Sequence, residues 1–335
     1  MTSVPSEPRV AFPTLLEGRH AAAALGTLGK NVAAAVATLA AATALLLGLL
    51  VLAPGDPIDL MQVDDAVRPQ LAAELGLDRS LPARWALHAR RLLSLDLGTS
   101  YVYRSGAAVA DVIAGPARRT AGLVGAAGAL ACGLGTALAF TTAGRPRSAG
   151  RLLVGAVSLL PTFLVAFAAV WGLNELAWTG IGHGWWARPA WFALPDEDSA
   201  VRTALAVTVL AVASSTLSEI HGEIEDALVR VRASAWLDAA RARGERTWTL
   251  VLRGLLPPVV AAMANRTGRL LGGAIVVEKV LLINGVGKVL WEAARLRDYE
   301  LALSIAVLAA TVVAAARLVA DGLRWGLDPR LREAR

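Results

Sequence analysis

The sequence predicts an all-α membrane protein with six transmembrane helices. Of its 335 residues, 56% are hydrophobic and 18% are charged, and the mean hydropathy is +0.54, which is too apolar for an ordinary soluble domain. The apolar residues fall into six runs of span length, with short basic blocks between them. A net charge of +6 would also suit nucleic acid, but nucleic-acid binding needs the basic residues on one surface. Membrane topology therefore accounts for the basic residues better, and no nucleic-acid partner is expected.

The first third of the chain is predicted to hold one span and a large external loop. Residues 1–30 are polar and are expected to form a cytoplasmic tail, and residues 31–53 form an apolar run that can cross about 30 Å of hydrocarbon. The polar stretch before this run is long for a signal peptide, and no small-residue cleavage site follows it, so we expect a retained anchor. Residues 54–119 contain no run of span length and are predicted to form an external loop with short helices.

Five further apolar runs complete the predicted set of spans. They cover residues 120–143, 152–173, 200–217, 255–283 and 301–323. The loop 144–151 carries three arginines, which places it in the cytoplasm by the positive-inside rule. Residues 219–253 are charged throughout and residues 324–335 form a basic tail. Both are expected inside, so that both termini are cytoplasmic. Pro161 predicts a kink in the third span, because proline removes a helix hydrogen bond.

Four tryptophans crowd the segment around the external end of the third predicted span. They are Trp178, Trp185, Trp186 and Trp191. Tryptophan at this density next to a span is typical of the outer interfacial belt, where the ring is half buried and the indole N–H stays wet. An aromatic surface for a solute or a partner is the alternative.

The segment 219–253 contains a short, basic, alanine-rich helix that is predicted to dock against another protein. Its alanines favour helix and leave little side chain, so that another surface can approach the backbone. Trp236 lies one turn before Ala240 on the same face, and Arg241 flanks that face. Gly244 is predicted to end the helix, because glycine enters the left-handed C-cap conformation without steric cost. An ordinary amphipathic loop helix is the alternative.

Residues at a fixed spacing around this helix resemble the EAA loop of binding-protein-dependent ABC transporter permeases. The matching positions are Asp238, Ala239, Ala240, Gly244, Leu256 and Pro257. An acidic residue precedes two alanines, and a glycine and a Leu-Pro pair follow at the family's spacing. The next helix is expected to open at Pro257, where a missing N–H costs nothing.

Further motifs narrow the resemblance to the dipeptide/oligopeptide/nickel branch of these permeases. The motifs stand at residues 54–57, 74–78 with 81–82, 96–100, 272–280, 285–287, 297–299 and 328–330. In this order they cover the chain from about Pro54 to Arg330. The sequence departs from the usual pattern at Asp238, Gly254 and Asn284, which leaves the substrate and the detail of coupling open.

Membership of this family implies the type I ABC importer permease fold with a cytoplasmic coupling helix. The implied partners are a second homologous permease subunit in a heterodimer, two cytoplasmic ATPase subunits and an external solute-binding protein, in the inner membrane of a bacterium. Peptides are the implied solutes, with nickel chelates and opine-like metallophores as the other classes. ATPase coupling is expected at Trp236, Asp238, Ala239, Ala240, Arg241, Gly244, Leu256 and Pro257.

The fifth predicted span carries charge at a depth where charge is expensive. Counting about 1.5 Å per residue from Pro257 places Arg266 near the midplane of the bilayer, where an arginine costs about 2.5–3.5 kcal/mol. Arg266 and Arg269 belong to a small or polar stripe with Asn265, Gly272 and Gly273, which is expected to face the pore. The residues assigned to the translocation path are Asn265, Arg266, Arg269 and Glu278.

Such a path favours an anionic or carboxylate-rich solute. Two alternatives remain open for Arg266 and Arg269. They can pair with an acidic group of the partner permease, or lie nearer the inner interface.

No catalytic residue, metal ligand or cofactor is predicted. The four histidines have no metal-ligand spacing; they are His20, His88, His183 and His221. The glycine-lysine pairs at residues 29–30 and 287–288 lack the pattern that cradles phosphates, so ATP hydrolysis is expected from partner subunits. Cys132 is the only cysteine, which excludes an internal disulfide. The alternative class is a stand-alone membrane channel or a membrane-embedded enzyme.

Overall fold

A computed structural model of the chain describes residues 14–52, 57–61, 64–94, 96–145, 148–185, 187, 199–213 and 215–327. The helices within these ranges are α1 (Thr14–Leu52), α2 (Pro57–Met61), α3 (Arg68–Glu74), α4 (Leu81–Leu93), α5 (Val109–Thr142), α6 (Ala149–Ser158), α7 (Thr162–Gly182), α8 (Ala200–Val212), α9 (Thr216–Arg232), α10 (Ala235–Ala242), α11 (Thr247–Val280), α12 (Val286–Arg295) and α13 (Tyr299–Leu327).

Within the ranges that the structure describes, β structure is limited to one isolated bridge between Thr99 and Ala108. The predicted all-α class is confirmed. Parts of several sequence-based predictions lie outside the described residues. These parts are residues 1–13 and 328–335 of the two tails, residues 54–56 of the first external motif, and Trp186 and Trp191 of the aromatic belt.

Five of the described helices are long and apolar enough to cross a membrane, in α1, α5, α7, α11 and α13. The helices α8 and α9 are long and apolar enough to cross a membrane only when they are taken together. They meet at a bend of 53°, and a sixth crossing results if the pair is counted as one span. The helix α8 has 13 residues and rises only about 20 Å at 1.5 Å per residue. The first turns of α9 must therefore complete that crossing.

The second predicted span is part of a longer helix. The helix α5 begins at Val109, before the predicted boundary at Thr120, and has 34 residues, or about 51 Å at 1.5 Å per residue. Its first turn is covered by a small second core, in which Val109, Val112 and Ile113 pack against α12 and the start of α13. Burial of these three side chains explains why the helix begins before the predicted boundary.

The third crossing lies later in the chain than the predicted range 152–173. The chain breaks at Leu159–Pro161, and Pro161 takes the extended N-cap position of α7 (φ −59°, ψ 141°). The helix α7 has 21 residues, which span about 31 Å without α6. Pro161 thus ends one helix and begins the next, where the pattern predicted a kink.

The segment from Glu219 to Arg253 holds a packed helix, although its charge predicts a solvated loop. Ile220, Ile224 and Leu228 of α9 are completely buried, and their helical spacing puts them on one face, against α5. Most charged residues of α9 lie on the remaining faces; Glu225, which is 3% exposed, pairs with Arg151 over 2.7 Å. The helix is therefore amphipathic, and the charge pattern hid its apolar stripe.

The helix α11 does not open at Pro257, and this expectation is corrected. It begins at Thr247 and contains both Pro257 and Pro258 in its interior. A proline inside a helix removes one hydrogen bond, a loss that membrane helices tolerate when neighbouring groups satisfy the freed carbonyls. With 34 residues, α11 runs about 51 Å and continues past the hydrocarbon toward α10.

The helix α5 approaches both α9 and α11 closely, because it has a glycine at the point where it crosses each of them. A Cβ on Gly135 would lie 3.0 Å from Ile220 Cγ2 and 3.3 Å from the His221 amide nitrogen of α9. A Cβ on Gly128 would overlap Met263 of α11. These close approaches fix α9 and α11 side by side, and their polar faces form the candidate site.

Candidate functional site

The predicted docking helix is α10, and two side chains fix it to the membrane domain. Leu237 is 0% and Ala240 1% exposed, and the two lie three residues apart on the face that packs into the core. Asp238 and Arg241 point into solvent, where Arg241 Nη1 donates to Asp238 Oδ1 over 2.8 Å. The sequence analysis did not identify Leu237 as a buried residue of this helix. Its spacing of three residues from Ala240 could have shown that the two share one face.

The end of α10 is a Schellman cap built on Gly244. The residue has φ +74°, its N–H donates to the Arg241 carbonyl over 3.0 Å, and the Glu245 N–H donates to the Ala240 carbonyl over 3.1 Å. These are the two hydrogen bonds that define the motif. Within 4 Å of a Cβ built on Gly244 there is no other atom, so the left-handed backbone alone requires glycine here.

The other residues predicted to couple to the ATPase form an exposed surface around α10 and the start of α11. Trp236 is 37% exposed and rests beside Gly254, where an added Cβ would lie 3.8 Å from the indole ring and 3.1 Å from Val231 Cγ2. Ala239 is also exposed. Leu256 is 48% exposed and follows two other exposed residues at successive helical turns, which the pattern missed; they are Trp248 and Leu252. Together these residues give one continuous face.

The two arginines of α11 pair with glutamates of α9 in the same chain. Arg266 is 8% exposed, and its guanidinium contacts Glu223 Oε1 over 2.7 Å and Glu219 Oε2 over 3.1 Å. Arg269 forms an ion pair with Glu219 and donates to Ser215 Oγ over 3.1 Å. The acidic partners are therefore intramolecular, an arrangement that was not among the three considered from the sequence: the pore, an acidic group of the partner permease, or a position nearer the inner interface.

The predicted polar stripe of α11 divides into an exposed and a buried part. Asn265, Arg269 and Gly272 are exposed at helical spacing. Arg266 is buried against α9, and a Cβ on Gly273 would lie 3.1 Å from Leu210 of α8. Only the first three residues are thus open to a solute.

The α9 glutamates extend the exposed part of the stripe. The side chains of Glu219 and Glu223 are 35% and 41% exposed. Asp226, one turn further, is exposed as well. We call this surface, made of Asn265, Arg269, Gly272, Glu219, Glu223 and Asp226, the charged face.

Glu278, assigned by its pattern to the translocation path, is completely buried. Its carboxylate accepts hydrogen bonds from Thr120 Oγ1 over 2.6 Å and from the Gly287 N–H over 2.7 Å. The Thr120 hydroxyl in turn accepts from the Val286 N–H over 2.8 Å. The carboxylate therefore lies at the N-terminus of α12, where negative charge is favourable, and it ties α5, α11 and α12 together away from the charged face.

Two glycines leave room for this carboxylate. A Cβ on Gly285 would lie within 2.3 Å of the Glu278 carboxyl atoms, and a Cβ on Gly287 would lie 2.3 Å from Ile275 Cα. The Gly-Val-Gly motif singled out in the sequence is explained by this close approach, because no larger residue fits at either position.

Another buried carboxylate, that of Asp298, joins two motifs that are far apart in sequence. Its Oδ2 accepts hydrogen bonds from Ser100 Oγ over 2.6 Å and from three consecutive backbone N–H groups, those of Tyr101, Val102 and Tyr103, over 3.0–3.1 Å. Asp298 is 0% exposed. The Asp-Leu-Gly-Thr-Ser motif of the external loop is thereby fixed to the start of α13.

A second contact to α13 comes from the amphipathic helix α4. Glu300 accepts a hydrogen bond from Arg91 Nη1 over 3.1 Å, and its other oxygen lies 3.2 Å from His88 Nδ1. Trp85 of α4 also donates to Thr43 Oγ1 of α1 over 3.1 Å. The helix α4 thus lies across the ends of α1 and α13.

Shifted pKa values outside the spans include those of Glu292 and Tyr101. The hydrogen bond from Lys279 lowers the pKa of Glu292 on α12, and Arg295 adds to this effect. Burial raises the pKa of Tyr101. Both groups are therefore in their usual charge states at neutral pH, and both lie away from the charged face.

His221 and His183, like His88, have structural contacts. His221 Nε2 lies 2.8 Å from Thr142 Oγ1, and His183 stacks on Trp185 with ring centroids 5.1 Å apart. Across the described ranges, no group of three histidine, cysteine or acidic side chains is placed to hold a metal ion.

Comparison with known proteins agrees with this architecture. Residues 130–333 match the model of the family described as binding-protein-dependent transport system inner membrane component. A putative peptide permease protein of Brucella ovis is 29% identical over 308 residues, which cover 88% of this chain and 95% of that protein. A glutathione transport system permease protein of Pectobacterium atrosepticum is 30% identical over 294 residues, 84% of this chain and 90% of that protein.

A di/tripeptide transport system permease protein of Pseudomonas aeruginosa is 27% identical over 342 residues, which cover 93% of this chain and 100% of that protein. The likeness thus extends beyond the C-terminal part that matches the family to nearly the whole chain, including the external loop. The resemblance drawn from the motifs is confirmed. The chain belongs to the family of binding-protein-dependent transport system inner membrane components and is a permease subunit of an ABC importer.

Proposed function

We propose that this permease imports peptides, with the charged face of α9 and α11 as its half of the translocation path. The observation that carries the proposal is the pairing of two arginines with two glutamates inside a membrane domain. An arginine inside a span is expensive, up to about 2.5–3.5 kcal/mol at the centre on insertion scales, and its partners put Arg266 level with the first two turns of α9, toward the end of that crossing. Charged residues kept at such a cost normally line a solute path.

The charged face offers both signs of charge to a solute. The side chain of Arg269 is 46% exposed and that of Glu223 is 41% exposed. A peptide carries an ammonium group at one end and a carboxylate at the other, so each end can meet its opposite. Because Arg269 and Glu223 already have partners in the chain, each contact with a solute is weak, which lets the solute leave again. The names of the relatives, which are peptide, di/tripeptide and glutathione permeases, support the same class of solute.

The surface around α10 is the proposed site of ATPase coupling. Trp236, Asp238, Ala239, Arg241 and Leu256 are exposed on it, while Leu237 and Ala240 transmit any displacement of α10 to the core. Two cytoplasmic ATPase subunits supply the energy, since the chain lacks a phosphate-binding motif of its own. Pro257 and Gly244 act through backbone shape.

The proposed assembly is a heterodimer of this chain with a second homologous permease, served by an external solute-binding protein. Both termini and α10 lie in the cytoplasm of a bacterial cell. The side that carries α4, α12 and Asp298 then faces outward, toward the binding protein. The arginines of the loop around Arg145 and of α10 support this orientation by the positive-inside rule.

Transport of end-blocked dipeptides by the complex in proteoliposomes tests the proposal. Arg269→Gln is expected to lower uptake of a free dipeptide about tenfold and to leave C-terminally amidated peptide unaffected relative to wild type. Glu223→Gln should show the same selectivity for the amino end, tested with N-acetylated peptide. Arg230→Gln, an exposed arginine at the far end of α9, is the control. All three variants should assemble and hydrolyse ATP at the basal rate of the wild type. The assignment of the charged face to the solute path would be refuted if every variant took up free and blocked peptides equally.

A further inference from the structure

A groove of about 510 Å³ runs between α1 and α13, at the edge of the helix bundle. Its walls are small side chains that face each other across the two helices, among them Ala34, Ala35, Ala310 and Ala314. Small residues on both helices leave a channel along the contact where larger ones would close it. The helix α1 is mostly exposed, so the groove opens sideways toward the hydrocarbon of the bilayer.

The contacts of α4 fix the relative direction of the two helices. Trp85 of α4 bonds to Thr43, in the second half of α1, and His88, one turn along α4, contacts Glu300 at the beginning of α13. The C-terminal half of α1 therefore lies beside the N-terminal end of α13, and the helices are antiparallel. The other end of the groove joins the first half of α1 to the last turns of α13.

Charged groups gather at that other end. Arg317 and Asp321 line the groove there, and Lys30 lies one turn before Ala34 on the same face of α1. Among the described side chains at this end the three charges sum to +1. Lys30 precedes the apolar window Val32–Leu49 of α1, and Arg317 lies six residues before the end of the apolar span Tyr299–Leu323 of α13, from where its long side chain can reach the membrane interface. The cations thus stand at the level of lipid headgroups.

We propose that this groove is a binding site for one anionic phospholipid, with an acyl chain between α1 and α13 and the phosphate between Lys30 and Arg317. The shape fits because a narrow apolar channel that opens to the bilayer admits an acyl chain from the side. The charge fits because a net positive end at headgroup depth attracts a phosphodiester. With the orientation proposed above, the lipid belongs to the cytoplasmic leaflet, and it would fix α1 to the bundle without touching the charged face.

Native mass spectrometry of the full chain, purified with its co-expressed transporter subunits, tests this site. The complex is transferred from nanodiscs that contain phosphatidylglycerol and phosphatidylcholine in equal amounts, and the lipids it retains are counted. Each cation near the membrane surface contributes about fivefold in affinity. Retention of phosphatidylglycerol should therefore fall about fivefold in Arg317→Gln and about 25-fold in the double variant Lys30→Gln/Arg317→Gln, while Arg317→Lys retains the wild-type level.

Two further variants separate the groove from general surface charge. Ala314→Leu keeps every charge but fills the channel, and it should displace the lipid as fully as the double variant. Arg145→Gln, at an exposed arginine outside the groove, should retain the lipid. Equal retention of the two lipids by the wild type, or unchanged retention in both Ala314→Leu and the double variant, would overturn the proposal. Peptide uptake by the same variants is measured in parallel. Failure of the lipid proposal would show in lipid retention, whereas failure of the proposed peptide path would show in uptake, so the two can be told apart.

Discussion

Replacement of Gly244 by valine isolates the backbone requirement at the end of α10. The glycine holds φ +74° and has no neighbour within 4 Å of its Cβ position, so the new side chain meets no steric clash with other residues. The left-handed conformation costs a non-glycine residue about 1–2 kcal/mol, which is a factor of about 5–30 in an equilibrium constant. If the chain escapes this strain by opening the cap, the affinity of the complex for its ATPase subunits should fall by up to that factor.

The assay is titration of labelled ATPase subunit onto the detergent-solubilised permease, with transport-coupled hydrolysis as the second measurement. Gly106 provides a matched control, because it has φ +79° and also has no neighbour within 4 Å, yet it lies in the external loop before α5. Gly106→Val should lose similar stability and keep the ATPase affinity of wild type. If Gly244→Val binds and transports as wild type does, the capped end of α10 is not required for coupling.

Two other predictions follow from buried contacts. Leu237→Ala should destabilise the docking of α10 by about 2–5 kcal/mol, because it removes a fully buried leucine; loss of ATPase co-purification at an unchanged expression level checks this, and normal co-purification would contradict it. Asp298→Ala should destabilise the chain more than Ser100→Ala. The first leaves four buried or partly buried donors without their acceptor, at about 1–3 kcal/mol each, whereas the second removes one of those donors and leaves only the Arg104 N–H without its acceptor. Thermal unfolding in detergent ranks the two variants, and equal midpoints would refute the ranking.

The sequence predicted those features that depend on local chemistry. Gly244 ends its helix in the left-handed conformation, as its position after an alanine-rich turn indicated. For Pro161 the sequence indicated a local disturbance of the helix, although it predicted a kink within one span and the structure has two separate helices. The all-α class followed from composition and run length alone.

Features that depend on the tertiary neighbourhood were missed or misplaced. Pro257 predicts a helix start by its own chemistry, yet α11 passes through it, because a membrane environment and helix packing outweigh one lost hydrogen bond. Arg266 finds Glu223 at a separation of 43 residues, and helical spacing reveals partners only within a few residues. The apolar stripe of α9, at Ile220 and Ile224, was legible at period 3.6, but the charges between those residues obscured it.

The bond between Ser100 and Asp298 joins residues 198 positions apart, and this separation sets an order on biogenesis. A bacterial ribosome adds about 5–20 residues per second, so roughly 10–40 s pass between the synthesis of the two residues. During that interval the N–H groups of residues 101–103 have only water as a partner, and the external loop can change shape while later helices enter the membrane. The loop can close only after Asp298, which directly precedes α13, has been made. The contact therefore forms late in synthesis, when only α13 and the residues after it remain to be added.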